Sequence, residues 1–158
     1  MENVKIKVEI NGENKIWEVP VNEKLLDTLR RYGYKSVKKG CGEGTCGTCT
    51  VLINNTPVNS CIIFSVSVDG CKIMTVEGLG TVNNPHPLQS SIVEAGGVQC
   101  GYCTPGFLMS AYALLLKNPS PGIDDIRRAT DGNLCRCTGY VKRVEGVLLA
   151  AKKMRGEK

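Results

Sequence analysis

Eight of the nine cysteines in this chain fall into two sets of four, and no other feature restricts the fold so tightly. Cys41, Cys46, Cys49 and Cys61 are spaced C-x4-C-x2-C-x11-C in the first half; Cys100, Cys103, Cys135 and Cys137 are spaced C-x2-C-x31-C-x-C in the second. The opening residues, MENVKIKVEINGENKIWEV, alternate charged and apolar side chains and hold no continuous apolar segment, so a signal peptide is not expected. The longest apolar candidate, Phe107 to Leu116, is about half of a membrane span. The expected compartment is therefore the cytoplasm, where disulfides are rare and an odd set of nine thiols argues for metal.

The first spacing opens as the plant-type [2Fe–2S] pattern. Its loop, CGEGTCGTC, is rich in glycine: Gly42, Gly44 and Gly47 let the backbone wrap an inorganic core and aim amide N–H groups at sulfur. Such donors offset negative charge and raise a reduction potential. A structural zinc site, the competing reading, asks only for four ligands around one ion and rarely needs so many glycines. The second spacing is less diagnostic, since C-x2-C with a distant pair also builds zinc ribbons. Its placement favours a cluster. Cys103 stands before Thr104-Pro105, a helix start with Thr as N-cap and Pro at N1, where free amides and the dipole favour a ligated anion.

The surrounding elements differ between the halves. Val4, Ile6, Val8 and Ile10 alternate with polar residues as a half-buried strand, Asn11-Gly12 suits a type I′ turn, and Lys15–Val19 returns. Lys24–Tyr32 reads as a helix ended by Gly33, and Thr50–Ile53 and Lys72–Val76 as further strands. From Pro85 onward the pattern is helical: Pro87–Ala95, then Thr104 to Leu116, Asp124–Ala129 and Val141–Met154. The expected fold class is α+β, a β-grasp-like unit followed by four helices packed as two pairs. The domains are 1–77 and 85–158, with 78–84 (GLGTVNN) as linker.

Aromatic residues make up only 5% of the chain, so each half has a largely aliphatic core and gains from a metal staple. The formal charge of +5 raises a nucleic-acid reading, but the basic residues are scattered and stacking platforms are absent. Lys35, Lys38 and Lys39 and the tail from Lys152 to Lys158 are the only basic clusters. Two ligated clusters at about −2 each would bring the charge to roughly +1. Among the remaining candidates, His86, flanked by prolines, reads as a helix-entry residue. Glu43 reads as solvated, and Cys71 as a small hydrophobe in a strand. Arg136 is open between steering a cofactor and a surface ion pair.

The motifs CGEGTCGTC, the later Cys61, QCGYCTPG (Gln99–Gly106) and GNLCRCTGY (Gly132–Tyr140) together resemble the small iron–sulfur subunit of molybdenum hydroxylases, the xanthine dehydrogenase, aldehyde oxidoreductase and carbon monoxide dehydrogenase family. The resemblance covers nearly the whole chain. It implies an N-terminal ferredoxin-like β-grasp domain and an all-α four-helix domain, each with one [2Fe–2S] cluster. It implies that Gln99 and Cys137 contact a molybdopterin cofactor carried on a large partner subunit, Cys137 while also ligating iron. It further implies an FAD-bearing medium subunit near the first cluster and a hetero-oligomer such as a dimer of heterotrimers. Electrons would pass singly from molybdenum through the helical-domain cluster to the N-terminal one, with no catalytic acid, base or nucleophile in this chain. Where the family often has a Thr or Ser cap, this chain has Pro121-Gly122-Ile123, with Ser120 as a substitute cap. Two other functions compete: a free-standing two-cluster ferredoxin, and a zinc-stabilised interaction module.

Overall fold

In the computed structural model, which describes residues 2–157, the first half is a five-stranded mixed sheet crossed by one helix. Strands β1 (Asn3–Ile10) and β2 (Glu13–Pro20) form an antiparallel hairpin. Its turn, Asn11-Gly12, has φ of 51° and 86°, the pair of positive values that a type I′ turn demands. Helix α1 (Leu25–Arg31) follows and buries Leu25, Leu26 and Leu29. Strands β3 (Thr50–Ile53), β4 (Thr56–Asn59) and β5 (Lys72–Met74) complete the sheet in the order β2-β1-β5-β3-β4, with β1 and β5 parallel. Alternation in β1 and β2 sends Ile6, Val8, Ile10, Trp17 and Val19 into one core with the α1 leucines. The expected strand Lys72–Val76 stops at Met74, and Val76–Gly78 is a 3-10 turn. Strand β4 and the Asn54-Asn55 turn before it have no apolar alternation to announce them; Thr56-Pro57-Val58-Asn59 is an exposed edge.

The second half contains α2 (Pro87–Glu94), α3 (Thr104–Lys117), α4 (Ile123–Thr130) and α5 (Val141–Met154). Helix α2 packs on α5 and α3 on α4 around Leu88, Ile92, Phe107, Leu115, Ile126 and Val147. Gly146 makes the first pairing possible, since a Cβ there would sit 2.8 Å from Ile92 Cδ1. His86 caps α2: its Nδ1 accepts from the Leu88 amide at 3.1 Å, and its own amide donates to Gln89 Oε1 at 2.8 Å. Two expected caps are corrected. Thr104 is already inside α3 and Cys103 is the N-cap. Helix α4 begins from Gly122, whose amide donates to Asp125 Oδ2 at 3.0 Å, so the acidic first turn replaces the hydroxyl of Ser120.

The halves pack directly on one another. Strand β3 is buried on both faces: Val51 enters the first core, while Leu52 meets Met109 and Ala113 of α3. Backbones touch where Gly47, Gly106 and Gly132 meet. A Cβ on Gly47 would lie 2.1 Å from the Gly132 oxygen, and one on Gly106 would lie 2.3 Å from the Gly47 oxygen. Among the described residues, no helix is long and apolar enough to cross a membrane. Cys71 lies just before β5, half-buried rather than within the strand, and Lys158 of the basic tail lies outside the described residues.

Candidate metal centres

The first four thiols stand on the loop between α1 and β3 and on the turn after β4. They divide into an outer and an inner pair. Cys41, exposed, touches Cys46; Cys49 and Cys61, both buried, touch each other. Main-chain amides surround the sulfurs. Glu43, Thr45 and Cys46 donate to Cys41 Sγ at 3.5, 3.3 and 3.4 Å, Cys41 to Cys46 Sγ at 3.4 Å, and Gly44 to Cys61 Sγ at 3.2 Å. The amides of Glu43 and Cys46 pull the Cys41 thiol down to about 6, whereas burial and the neighbouring Cys49 push Cys61 up to about 11. Of the three loop glycines, only Gly44 supplies an N–H to sulfur. Gly42 turns the chain, and Gly47 serves the contact between the halves. Glu43 is exposed, as expected of a solvated side chain.

The second set repeats the division into pairs. Cys103, buried, touches Cys135, and the exposed Cys137 lies 3.7 Å from the exposed Cys100, sulfur to sulfur. Cys100 and Cys103 lie on the turn that feeds α3, and Cys135 and Cys137 on the loop between α4 and α5. Burial pushes the Cys135 thiol up, but the hydroxyl and amide of Thr138, at 3.2 and 3.4 Å, outweigh it and bring the thiol to about 7. At Cys103 burial prevails over the Arg143 guanidinium, and the thiol is raised.

The pairing bears on which metal fits. A structural zinc ion needs four ligands converging on one point. Among the described residues, no three His, Cys, Asp or Glu side chains converge in that way. Pairs of thiols set side by side match a binuclear core, in which each iron takes two cysteines and the rest of its coordination comes from bridging sulfide. A second observation agrees. Arg143 is buried at 1% exposure, and its Nη1 has no partner among the described residues. A buried cation beside Cys103 with one amino group unpartnered calls for negative charge at that position. The residues present fit two [2Fe–2S] groups.

Several contacts that tie the sites together have no signature in the cysteine spacing. Asn133, buried within GNLCRC, donates through Nδ2 to the Gly47 oxygen at 2.9 Å. Leu134 donates its amide to the Cys46 oxygen at 2.9 Å, Thr48 Oγ1 donates to the Tyr102 oxygen at 3.0 Å, and Tyr102 OH donates to the Lys39 oxygen at 2.6 Å. Tyr140 adopts φ of 69°, costly for a residue with a Cβ, and its hydroxyl accepts the Cys135 amide at 2.8 Å. Gln99 and Cys137, the two expected pterin contacts, are joined at the surface: Gln99 Nε2 donates to the Cys137 oxygen at 3.0 Å. Arg136 lines a cavity of about 250 Å³ between the sets, with Cys41 and Cys46 on one wall and Cys100 and Cys137 on the other.

Comparison with known proteins accords with this geometry. Residues 8–69 match a family described as 2Fe-2S iron-sulfur cluster binding domain, and residues 75–148 one described as [2Fe-2S] binding domain. The chain is 48% identical to the nicotinate dehydrogenase small FeS subunit of Eubacterium barkeri, over 90% of this chain and 91% of that protein. It is 44% identical to the nicotine 6-hydroxylase small subunit of Paenarthrobacter nicotinovorans, covering 93% and 89%. Among solved structures, the aldehyde oxidoreductase of Desulfovibrio desulfuricans superposes with a TM-score of 0.95 at 42% identity, over 98% of this chain but 17% of that one. Quinoline 2-oxidoreductase of Pseudomonas putida has a chain covered end to end, with a TM-score of 0.92 and 38% identity. With paired thiols in two separate sites, an α+β fold and relatives matched over nearly their full length, the chain belongs to the small iron–sulfur subunits of molybdenum hydroxylases, electron-transfer subunits with two [2Fe–2S] clusters.

Proposed function

We propose that Cys41, Cys46, Cys49 and Cys61 ligate the first cluster and Cys100, Cys103, Cys135 and Cys137 the second. We further propose that the second faces a large molybdopterin-binding subunit through its exposed outer pair. When bound, each cluster supplies a carrier of one electron at a time. The chain's own residues hold the two sites in register. The Cys46 carbonyl accepts from Leu134, next to Cys135, so a single hydrogen bond joins a ligand residue of one site to the neighbour of a ligand in the other. The functional units in this reading are 1–77 and 85–158, joined by 78–84.

The observation that carries the orientation is the surface around the second outer pair. Gln99, Cys100 and Cys137 are exposed there, and Leu134 at 50%, Tyr140 and Val141 at 62% leave apolar area beside them open to water. A free carrier docking briefly on many partners gains nothing from such area; a stable subunit interface does. Gln99, fixed by its bond to the Cys137 carbonyl, presents its remaining amide groups to the pterin. By the same reading the Cys41–Thr45 loop, at the first site, faces an FAD-binding medium subunit, and the assembly is a dimer of heterotrimers.

Hydrogen exchange on the chain alone and on the chain assembled with its large subunit tests the orientation. Protection is expected at residues 99–103 and 134–141. Protection confined to the β1–β2 hairpin would overturn it.

A further inference from the structure

Arg143, on the first turn of α5, is buried at 1% exposure. Its Nε donates to the Gly97 oxygen at 3.2 Å, its Nη2 donates to Cys103 Sγ at 3.0 Å, and its guanidinium lies 4.8 Å from the Phe107 ring centre. Its Nη1 is buried without a partner. The ion pairs of the described residues do not include Arg143, so no carboxylate answers its charge. A guanidinium stays protonated at any ordinary pH. Leaving a permanent cation buried and half-bonded is strongly unfavourable unless negative charge is placed beside it. The sulfur it touches, Cys103 Sγ, belongs to the second cysteine set.

We propose that Arg143 is the built-in counter-charge of the second cluster: its guanidinium donates to the Cys103 thiolate and raises the reduction potential of that cluster relative to the same site without it. The inference rests on the assignment of Cys103 as an iron ligand. The physical reason is one of sign. An oxidised [2Fe–2S] core with four thiolates carries about −2, and one electron takes it to about −3. A fixed cation nearby stabilises the more negative state more, and low polarity around Phe107 and α5 magnifies the effect. The phenyl face holds the guanidinium in place through its own attraction to cations. Among the described residues the first site has no such side chain: its donors are main-chain amides. The tuning is therefore confined to one of the two clusters.

The test is an EPR-monitored redox titration of the assembled enzyme carrying Arg143→Met, which keeps an unbranched side chain in the same space, and Arg143→Lys, which keeps a charge. In the methionine variant the reduction equilibrium of the second signal is expected to fall about tenfold, 59 mV for one electron, with the first signal unmoved. The lysine variant is expected to lie between it and the wild type. An unchanged second potential in the methionine variant, or an equal fall in both clusters, would overturn the proposal. A purely structural contact would change stability and leave the potentials alone. If the methionine variant loses the second cluster, protein that keeps Arg143 and is grown on arginine with 15N in the guanidinium gives the answer. In an Arg136→Lys background, a 15N hyperfine coupling in the second signal supports the contact, and its absence sinks it. Failure of the ligand assignment reads differently, as a second signal that survives Cys103→Ala.

Discussion

Around the first cysteine set the compensating dipoles come from the backbone. The amides of Cys41, Glu43, Gly44, Thr45 and Cys46 all point at sulfur, from a loop that is largely exposed. Around the second, side chains do much of that work: the Thr138 hydroxyl and the buried Arg143 guanidinium, beside the Thr138 amide. The difference follows from where the ligands stand. A glycine-bearing loop can curl its own N–H groups inward. At the two short turns of the second set the Thr138 amide and hydroxyl donate to Cys135 Sγ, and the charge comes from a neighbouring element, the Arg143 guanidinium of α5. One site is thus tuned by a conformation and the other by a residue, and they differ in what a single substitution can do to them.

The largest expected effect comes from breaking one site outright. Cys103→Ser removes a buried inner thiol of the second pair, and the second EPR signal is expected to vanish while the first persists. Loss of both signals would show that the sites are one cooperative unit. Next comes Gly47→Ala at the contact the two sites share. Its φ of 67° and the 2.1 Å approach to the Gly132 oxygen predict a destabilisation of about 3 kcal/mol. Thermal unfolding of the assembled protein checks it, and an unchanged midpoint would contradict the close seam. A smaller effect is expected from Thr138→Val, which deletes a hydroxyl donor to Cys135 Sγ and lowers the second potential by roughly 1 kcal/mol of reduction free energy. The smallest sharpens the comparison from the other side. Thr45→Ala keeps its amide in place, so the first potential is expected to stay where it is in a redox titration. A shift as large as that of Thr138→Val would show that side chains matter equally at both sites.

Much of this was legible in sequence for identifiable reasons. The β1 strand is written in alternation before Asn11-Gly12, and α5, at about Val141–Met154, in helical spacing. The two sets of four thiols are legible as sets because the short spacings within each loop or turn stand out in the sequence. Other features had no such imprint. Strand β4 is a short polar edge that exists because β3 is there to pair with it. The Thr104-Pro105 signature marks the start of α3 but is displaced by one residue, because Cys103 must stand at the turn. Gly47 reads like its loop neighbours, and only the approach of Gly132 from the other half shows its separate purpose. Arg143 is hardest of all. Set among Lys142, Val144 and Glu145, it looks like one more surface charge, and nothing in the local pattern says that α5 turns it inward against Cys103.

The central claim, two separate [2Fe–2S] sites in one small chain, is tested most directly by EPR of the dithionite-reduced protein purified anaerobically, with iron and zinc quantified on the same sample. The account predicts two distinct spin-½ signals, about four irons per chain and no stoichiometric zinc. One signal with about two irons and one zinc per chain would contradict it, and would make the second set of thiols a structural site.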